Sequence, residues 1–173
     1  VLDDFTAQTG IKVNYQTYDS NEAMYGKLAG GSGGYDVIIP SDYMIGQMIE
    51  EDMLEPLNFD NIPNFSDVDP SLKNPEYDPE NLYSVPYMFG TLGIIYNTTM
   101  VEEPVDSWSI LWDEKYVNNV FMLDSIRDSM GITLKYLGYS MNTRDITALE
   151  AAKAKLIAAE TAMHVTTDAV QML

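Results

Sequence analysis

With 173 residues, 46% of them apolar and 11% aromatic, the chain can bury the core of one sizeable domain or two small lobes, which excludes a disordered segment. Twenty-seven Asp and Glu against nine Lys and Arg leave a net charge of −18, which argues against nucleic acid, whose phosphates need clustered basic partners. The absence of Cys excludes disulfides and thiolate chemistry. An acidic field of this size draws cations, and it also serves solubility. No apolar run reaches the length needed to cross a bilayer, and no signal-peptide pattern is visible.

Leu2 and Phe5 lie at helical spacing and Gly10 reads as a helix C-cap. The first residue is thus expected inside a helix. Residues 11–15 alternate apolar and polar, a strand signal. Ser20-Asn21-Glu22 caps a helix to about Leu28, with Met24 and Leu28 on one face. The glycine cluster 30–34 breaks it. Residues 35–40 form a short apolar strand of the kind buried in parallel sheets. Ser41-Asp42 is a turn and N-cap pair, opening a helix to about Glu51 with Met44, Ile45 and Met48 as its apolar positions.

This order, helix and strand in alternation, predicts an α/β fold with parallel strands and crossover helices. Residues 56–79, rich in Pro, Asn and Asp, are expected as loop with one short helix at 70–72. A β-prone run covers 83–97. Gly90 and Gly93 inside it fit either a bend between lobes or a bulge or close contact. Ser107 caps a short helix to Trp112. Residues 119–123 read as a strand. Asp124-Ser125 caps a helix that Gly138 ends, and 147–162 reads as a helix. Residues 167–173 look like the start of another, so both ends are expected to be cuts.

Metal binding and catalysis find little support. A Ser-His-Asp triad would have to use His164, the single histidine, which lies in the apolar run 163–165. Nothing marks out a carboxylate pair for glycoside cleavage. The 30–34 glycines lack the Lys-Ser/Thr of a phosphate loop and precede a strand, so they read as a connection. No catalytic residue, metal ligand or cofactor is expected. Two strand-to-helix turns are better candidates, because ligands of open α/β sheets bind beyond the carboxyl ends of strands. One is Ser41-Asp42-Tyr43. The other is Asp124-Ser125-Ile126-Arg127-Asp128, where helix capping is the competing role for Asp124 and Ser125.

Several stretches resemble bacterial spermidine/putrescine-binding proteins of polyamine ABC transporters, in the same order along the chain. They are Phe5-Thr6 with Thr9-Gly10-Ile11-Lys12-Val13, then Tyr18-Asp19-Ser20-Asn21-Glu22-Ala23-Met24-Tyr25. Tyr35-Asp36-Val37-Ile38-Ile39-Pro40-Ser41 follows, and then Ser84-Val85-Pro86-Tyr87-Met88-Phe89-Gly90-Thr91. Ser107-Trp108 with Leu111-Trp112 and Tyr116 completes the series. The resemblance implies a two-lobed, type II periplasmic-binding-protein-like fold with parallel or mixed sheets and a hinge, truncated at both ends. Lobe I is expected over 1–93, lacking its first strand, and a partial lobe II over 94–173.

What the resemblance implies about the site is narrow. Tyr43 matches an aromatic that packs on the methylene chain of the ligand, flanked by Ser41 and Asp42. The family often has Ser or Thr where Asp42 stands. Asp128 matches an acidic residue, commonly Glu, that pairs with a ligand ammonium. Ser125 stands where some members carry Asp. Arg127 matches an Arg that fixes loop geometry. Tyr43 and Asp128 are expected to face each other across a cleft.

The implied function is capture of a polyamine outside the cytoplasm and delivery to the permease subunits of an ABC importer. The implied location is the periplasm, or the extracellular face of the membrane as a lipoprotein. Contact with a membrane would come only through a lipid anchor or the permease. The rival readings are the same fold taking an organic cation, sugar or metal chelate, a carboxylate-based hydrolase, and an acidic interaction domain. Because a micromolar site needs about 8 kcal/mol and one desolvated charge pair at 4 Å supplies about 4 kcal/mol, this chain alone is expected to bind polyamine weakly or not at all.

Overall fold

A computed structural model of the chain describes residues 1–31, 34–160 and 162–166. The chain divides into two compact units, Val1–Phe89 and Gly90–Leu173.

The first unit holds α1 (Leu2–Thr9), α2 (Asn21–Ala29) and α3 (Asp42–Glu50), followed by 3₁₀ turns at Phe59–Asn61, Pro63–Asp67 and Pro70–Leu72. Local chemistry sets the helix ends. Gly10 stops α1 with φ at 74°, a left-handed conformation that glycine adopts without a Cβ penalty. The hydroxyl of Ser20 accepts the Ala23 N–H at 3.1 Å and starts α2. Buried Met24, Met44 and Met48 join α2 to α3, with Leu28, Ile38, Tyr43 and Met53 packed around them. Each buried thioether side chain contributes about 1.5–3 kcal/mol through the apolar area it removes from water. Ile45, expected inward with Met44 and Met48, is only half-buried.

After these helices the chain is organised by two buried polar side chains. The carboxylate of Asp78 accepts the backbone N–H groups of Leu82 (2.9 Å), Tyr83 (3.1 Å) and Ser84 (2.9 Å), and the Ser84 hydroxyl at 2.7 Å. Asn81, left-handed at φ 49°, accepts the Asn74 N–H through its side chain and donates to the Ser84 carbonyl at 3.3 Å.

The expected strands at 11–15, 35–40 and 83–97 do not form among the described residues. A strand needs a partner at ladder distance, and no described segment pairs with them. Many of their apolar side chains stay in solvent accordingly: Val37 is 79% exposed and Met88 is 80% exposed, while Ile38 packs on the methionine core. Gly90 and Gly93 have open space where a Cβ would stand, so no close contact explains them.

In the second unit, 3₁₀ turns at Trp108–Trp112 and Glu114–Tyr116 lead into β1 (Val120–Leu123), α4 (Ile126–Tyr136), α5 (Ile146–Ala159) and β2 (Met163–Thr166). The short helix expected after Ser107 is thus a 3₁₀ turn, capped by the Ser107 hydroxyl on the Ser109 N–H at 3.2 Å. Strands β1 and β2 pair in parallel, Val120 opposite Met163 and Leu123 opposite Thr166. Two helices connect them, as a parallel pair requires a long crossover.

Leu134, Ala148 and Ala152 form the buried contact between α4 and α5. Gly138, at φ 82°, closes α4 while the Tyr139 N–H reaches back to the Leu134 carbonyl at 2.8 Å. Helix α5 ends three residues before the expected 162: the Ala162 N–H turns back to the Ala159 carbonyl at 2.8 Å, and the Ala162 carbonyl accepts the Asn118 N–H at 3.0 Å at the entry to β2. Trp112 stacks on Tyr136 with ring centroids 4.4 Å apart, tying the first 3₁₀ turn to α4. The helix expected over 167–173 lies outside the described residues.

Candidate functional site

The first candidate group stands where residues 35–40 run into α3. Ser41 occupies the N-cap position, yet its hydroxyl makes no capping bond. It is held by Asn21 at the start of α2, which donates through Nδ2 to Ser41 Oγ at 3.0 Å and accepts the Ser41 N–H on Oδ1 at 3.1 Å. The same Nδ2 donates to the Tyr43 hydroxyl oxygen at 3.0 Å, and that hydroxyl donates to Glu22 Oε1 at 2.8 Å. Asp42 turns back on its own helix and accepts the Tyr43 N–H at 2.8 Å. Tyr18 donates its hydroxyl to the Ile39 carbonyl, which fixes the run leading into the corner. Partial burial and the neighbouring Tyr15 push the Tyr18 phenol above its usual range.

Tyr43 is half-buried, its body packed on the methionine core and its polar tip set among Asn21 and Glu22. Ser41 and Asp42 are exposed. The corner therefore offers an aromatic face, a serine and two carboxylates, the chemistry that suits a ligand with both apolar and cationic parts.

The second candidate group stands where β1 runs into α4. Ser125 caps the helix, its hydroxyl accepting the Asp128 N–H at 3.3 Å. The capping role weighed for Ser125 is thus present in the structure. Ser129 donates to the Leu123 carbonyl at 2.6 Å and closes the turn. Arg127 donates to the Met141 carbonyl at 3.1 Å and to Asn142 Oδ1, so it ties the first turn of α4 to the loop after it. Asp128 is half-buried in that first turn, where a carboxylate is favoured by the helix dipole.

The structure thus brings Ser41, Asp42 and Tyr43 together in the first unit, and Ser125 and Asp128 together in the second. The sequence reading missed Asn21 and Glu22 as site residues. They appeared only as part of a helix cap, although Ser20-Asn21-Glu22 lies within a stretch that carries the resemblance.

His164 is exposed and its Nε2 lies 3.2 Å from the Asn118 carbonyl, with the Phe121 ring 5.1 Å away, an environment unrelated to a Ser-His-Asp triad. Among the described residues no cluster of three His, Asp or Glu could hold a metal ion, and no helix is long and apolar enough to cross a membrane. A cavity of about 620 Å³ in the second unit is walled by Ile94, Tyr96, Ile110, Leu111, Tyr116 and Phe121 among others. It contains neither Ser125 nor Asp128, and its walls lack the carboxylates a cation requires.

A family model described as bacterial extracellular solute-binding protein matches residues 1–172. The spermidine/putrescine-binding periplasmic protein of Salmonella typhimurium is 40% identical over 158 residues, covering 90% of this chain and 45% of that protein. Among solved structures, the spermidine/putrescine ABC transporter substrate-binding protein PotD of Streptococcus pneumoniae superposes with a TM-score of 0.73 at 43% identity, over 95% of this chain and 51% of that one. The Tp0655 (TpPotD) lipoprotein of Treponema pallidum gives a TM-score of 0.86 at 32% identity, over 94% of this chain and 51% of that one. The chain spans about half the length of the relatives it matches.

Proposed function

The chain belongs to the bacterial extracellular solute-binding proteins, and on that footing we propose that the whole protein carrying it captures a polyamine outside the cytoplasm and hands it to the permease of an ABC importer. The observation that carries this reading is the Ser41–Tyr43 corner, where an aromatic side chain is fixed by Asn21 and Glu22 directly after an apolar run. A polyamine alternates ammonium groups with methylenes, so it needs carboxylates at intervals and aromatic faces between them. Tyr43 supplies the face and Asp128 an acid. Ser41, Asp42 and Ser125 add polar contacts. The aspartate at 128 is one methylene shorter than a glutamate, which favours a different polyamine or a water-mediated contact.

The net charge of −18 assists by raising the local concentration of cations. The role is capture rather than chemistry, and the place is the periplasm or the outer face of the membrane, where a lipid anchor would hold the protein. The test is a thermal-shift and calorimetry panel on the whole protein with putrescine, spermidine, sugars and amino acids. Ligand that binds the folded state raises the melting temperature by mass action. A shift with putrescine or spermidine and none with sugars is expected. No shift with any polyamine would sink the reading and favour another solute in the same fold.

A further inference from the structure

Helix α3 has a gap in its side-chain cover one turn below Asp42. Residue 46 is glycine, and a Cβ built there would lie 3.4 Å from the Cβ of Tyr77. Side chains on a helix tilt towards its N-terminus, so the room left at Gly46 points at the turn that holds Asp42. Residues 42 and 46 share one face of the helix, which sets the half-buried Tyr77 beside the exposed Asp42. The electrostatics agrees. Burial first, then the charge of Asp42 and that of Asp78, pushes the Tyr77 phenol above its usual range.

Of those two carboxylates, Asp78 is buried and committed to residues 82–84. Asp42 is bonded on one oxygen, Oδ1, to the Tyr43 N–H at 2.8 Å. The Tyr77 hydroxyl makes no hydrogen bond to a described residue, Asp42 included. A carboxylate accepts, and a phenol oxygen accepts as well as donates. A primary ammonium carries three N–H donors, so one such group serves both oxygens at once.

We propose that Tyr77 is a further ligand-contacting residue of the Ser41–Tyr43 corner, and that with Asp42 it seats one ammonium group. This rests on the polyamine reading above and adds one residue to it. The seat asks for N–H donors as well as charge, so it favours a primary ammonium over a quaternary one.

A double-mutant cycle on the whole protein tests it. Affinity for putrescine and spermidine is measured by calorimetry for the parent, D42N, Y77F and the double variant, with melting curves to check folding. D42N keeps an oxygen for the Tyr43 N–H, and Y77F keeps the ring against Gly46, so each removes only its half of the seat. D42N and Y77F are each expected to weaken binding about fivefold, the scale of one hydrogen bond. In the D42N background, Y77F is expected to cost less than about twofold, because the ammonium is no longer held beside the hydroxyl. A second readout needs no change at the site. The NMR signal of the Tyr77 ring, assigned from the Y77F spectrum, should move when putrescine saturates the parent. Equal costs of Y77F in both backgrounds, no cost in either, or an unmoved Tyr77 signal overturns the inference. If the parent binds no polyamine, the functional reading itself fails. If it binds and Tyr77 responds in none of these ways, only the inference falls.

Discussion

Asn21 grips Ser41 at two points, accepting its backbone N–H at 3.1 Å and donating to its hydroxyl at 3.0 Å. The two residues are 20 apart in sequence, so the pair locks the start of α2 to the start of α3. N21A removes both bonds and the one to Tyr43, and leaves the Ser41 N–H without its acceptor. The expected cost is about 1–3 kcal/mol, seen as a lower urea midpoint with an unchanged slope. S41A, which loses only the hydroxyl bond, should cost less. Equal costs would mean that the backbone half of the grip contributes nothing.

Asp78 is 3% exposed and accepts four hydrogen bonds from residues 82–84. D78A would strand three backbone N–H groups, at a cost of about 3 kcal/mol or more. D78N keeps one accepting oxygen and should fall between the parent and D78A. Chemical denaturation of the three proteins checks the order. A D78A variant as stable as the parent would show that this loop is not closed by its carboxylate.

The same substitution should have opposite signs at two glycines. Gly26 lies inside α2 with open space where a Cβ would stand, so G26A is expected to stabilise by about 0.5–1 kcal/mol through helix propensity. Gly138 also has open space but sits at φ 82°, so G138A is expected to destabilise by about 1 kcal/mol through left-handed strain. Paired thermal melts decide it, and a loss at Gly26 or a gain at Gly138 would contradict the helix ends described above.

Lys115 Nζ lies 2.9 Å and 3.1 Å from the two carboxylate oxygens of Glu103, and the Tyr116 hydroxyl donates to Oε2 at 3.2 Å. The hydrogen bond from Lys115, followed by one from the backbone of Glu103 itself and then the one from Tyr116, holds the Glu103 carboxyl below its ordinary 4.5. A group depressed on folding stabilises above its unfolded value and loses that contribution as pH falls through the folded one. The melting-temperature gap between the parent and E103Q should therefore be full at neutral pH and close below pH 4.5. It should also narrow with added salt, because the pair is exposed. A gap that persists in acid would assign the effect to packing.

Helix ends were legible in the sequence because their signals are local. Ser20, Ser125, Gly10 and Gly138 each act within a few residues of themselves. Strand 120–123 was legible too, and it forms because 163–166 lies beside it. The runs 11–15, 35–40 and 83–97 have the same composition without a described partner, and propensity cannot supply one. The corner shows the same limit. A strand-to-helix turn pointed to Ser41 and Tyr43, but the hold that Asn21 exerts on them comes from 20 residues away. A cap pattern at Ser20 gives no hint of it.

The methionine cluster beneath Tyr43 makes the two units unequal before an oxidant. Peroxide converts a thioether to a polar, chiral sulfoxide, and a core built on Met24, Met44 and Met48 has three such atoms where the second unit's fully buried trio of Leu134, Ala148 and Ala152 has none. Once local opening admits the reagent, damage would loosen the footing of Tyr43 from beneath, whereas the buried trio between α4 and α5 has a thioether only beside it, in Met130. Ageing of a preparation would then register first in the packing beneath Tyr43.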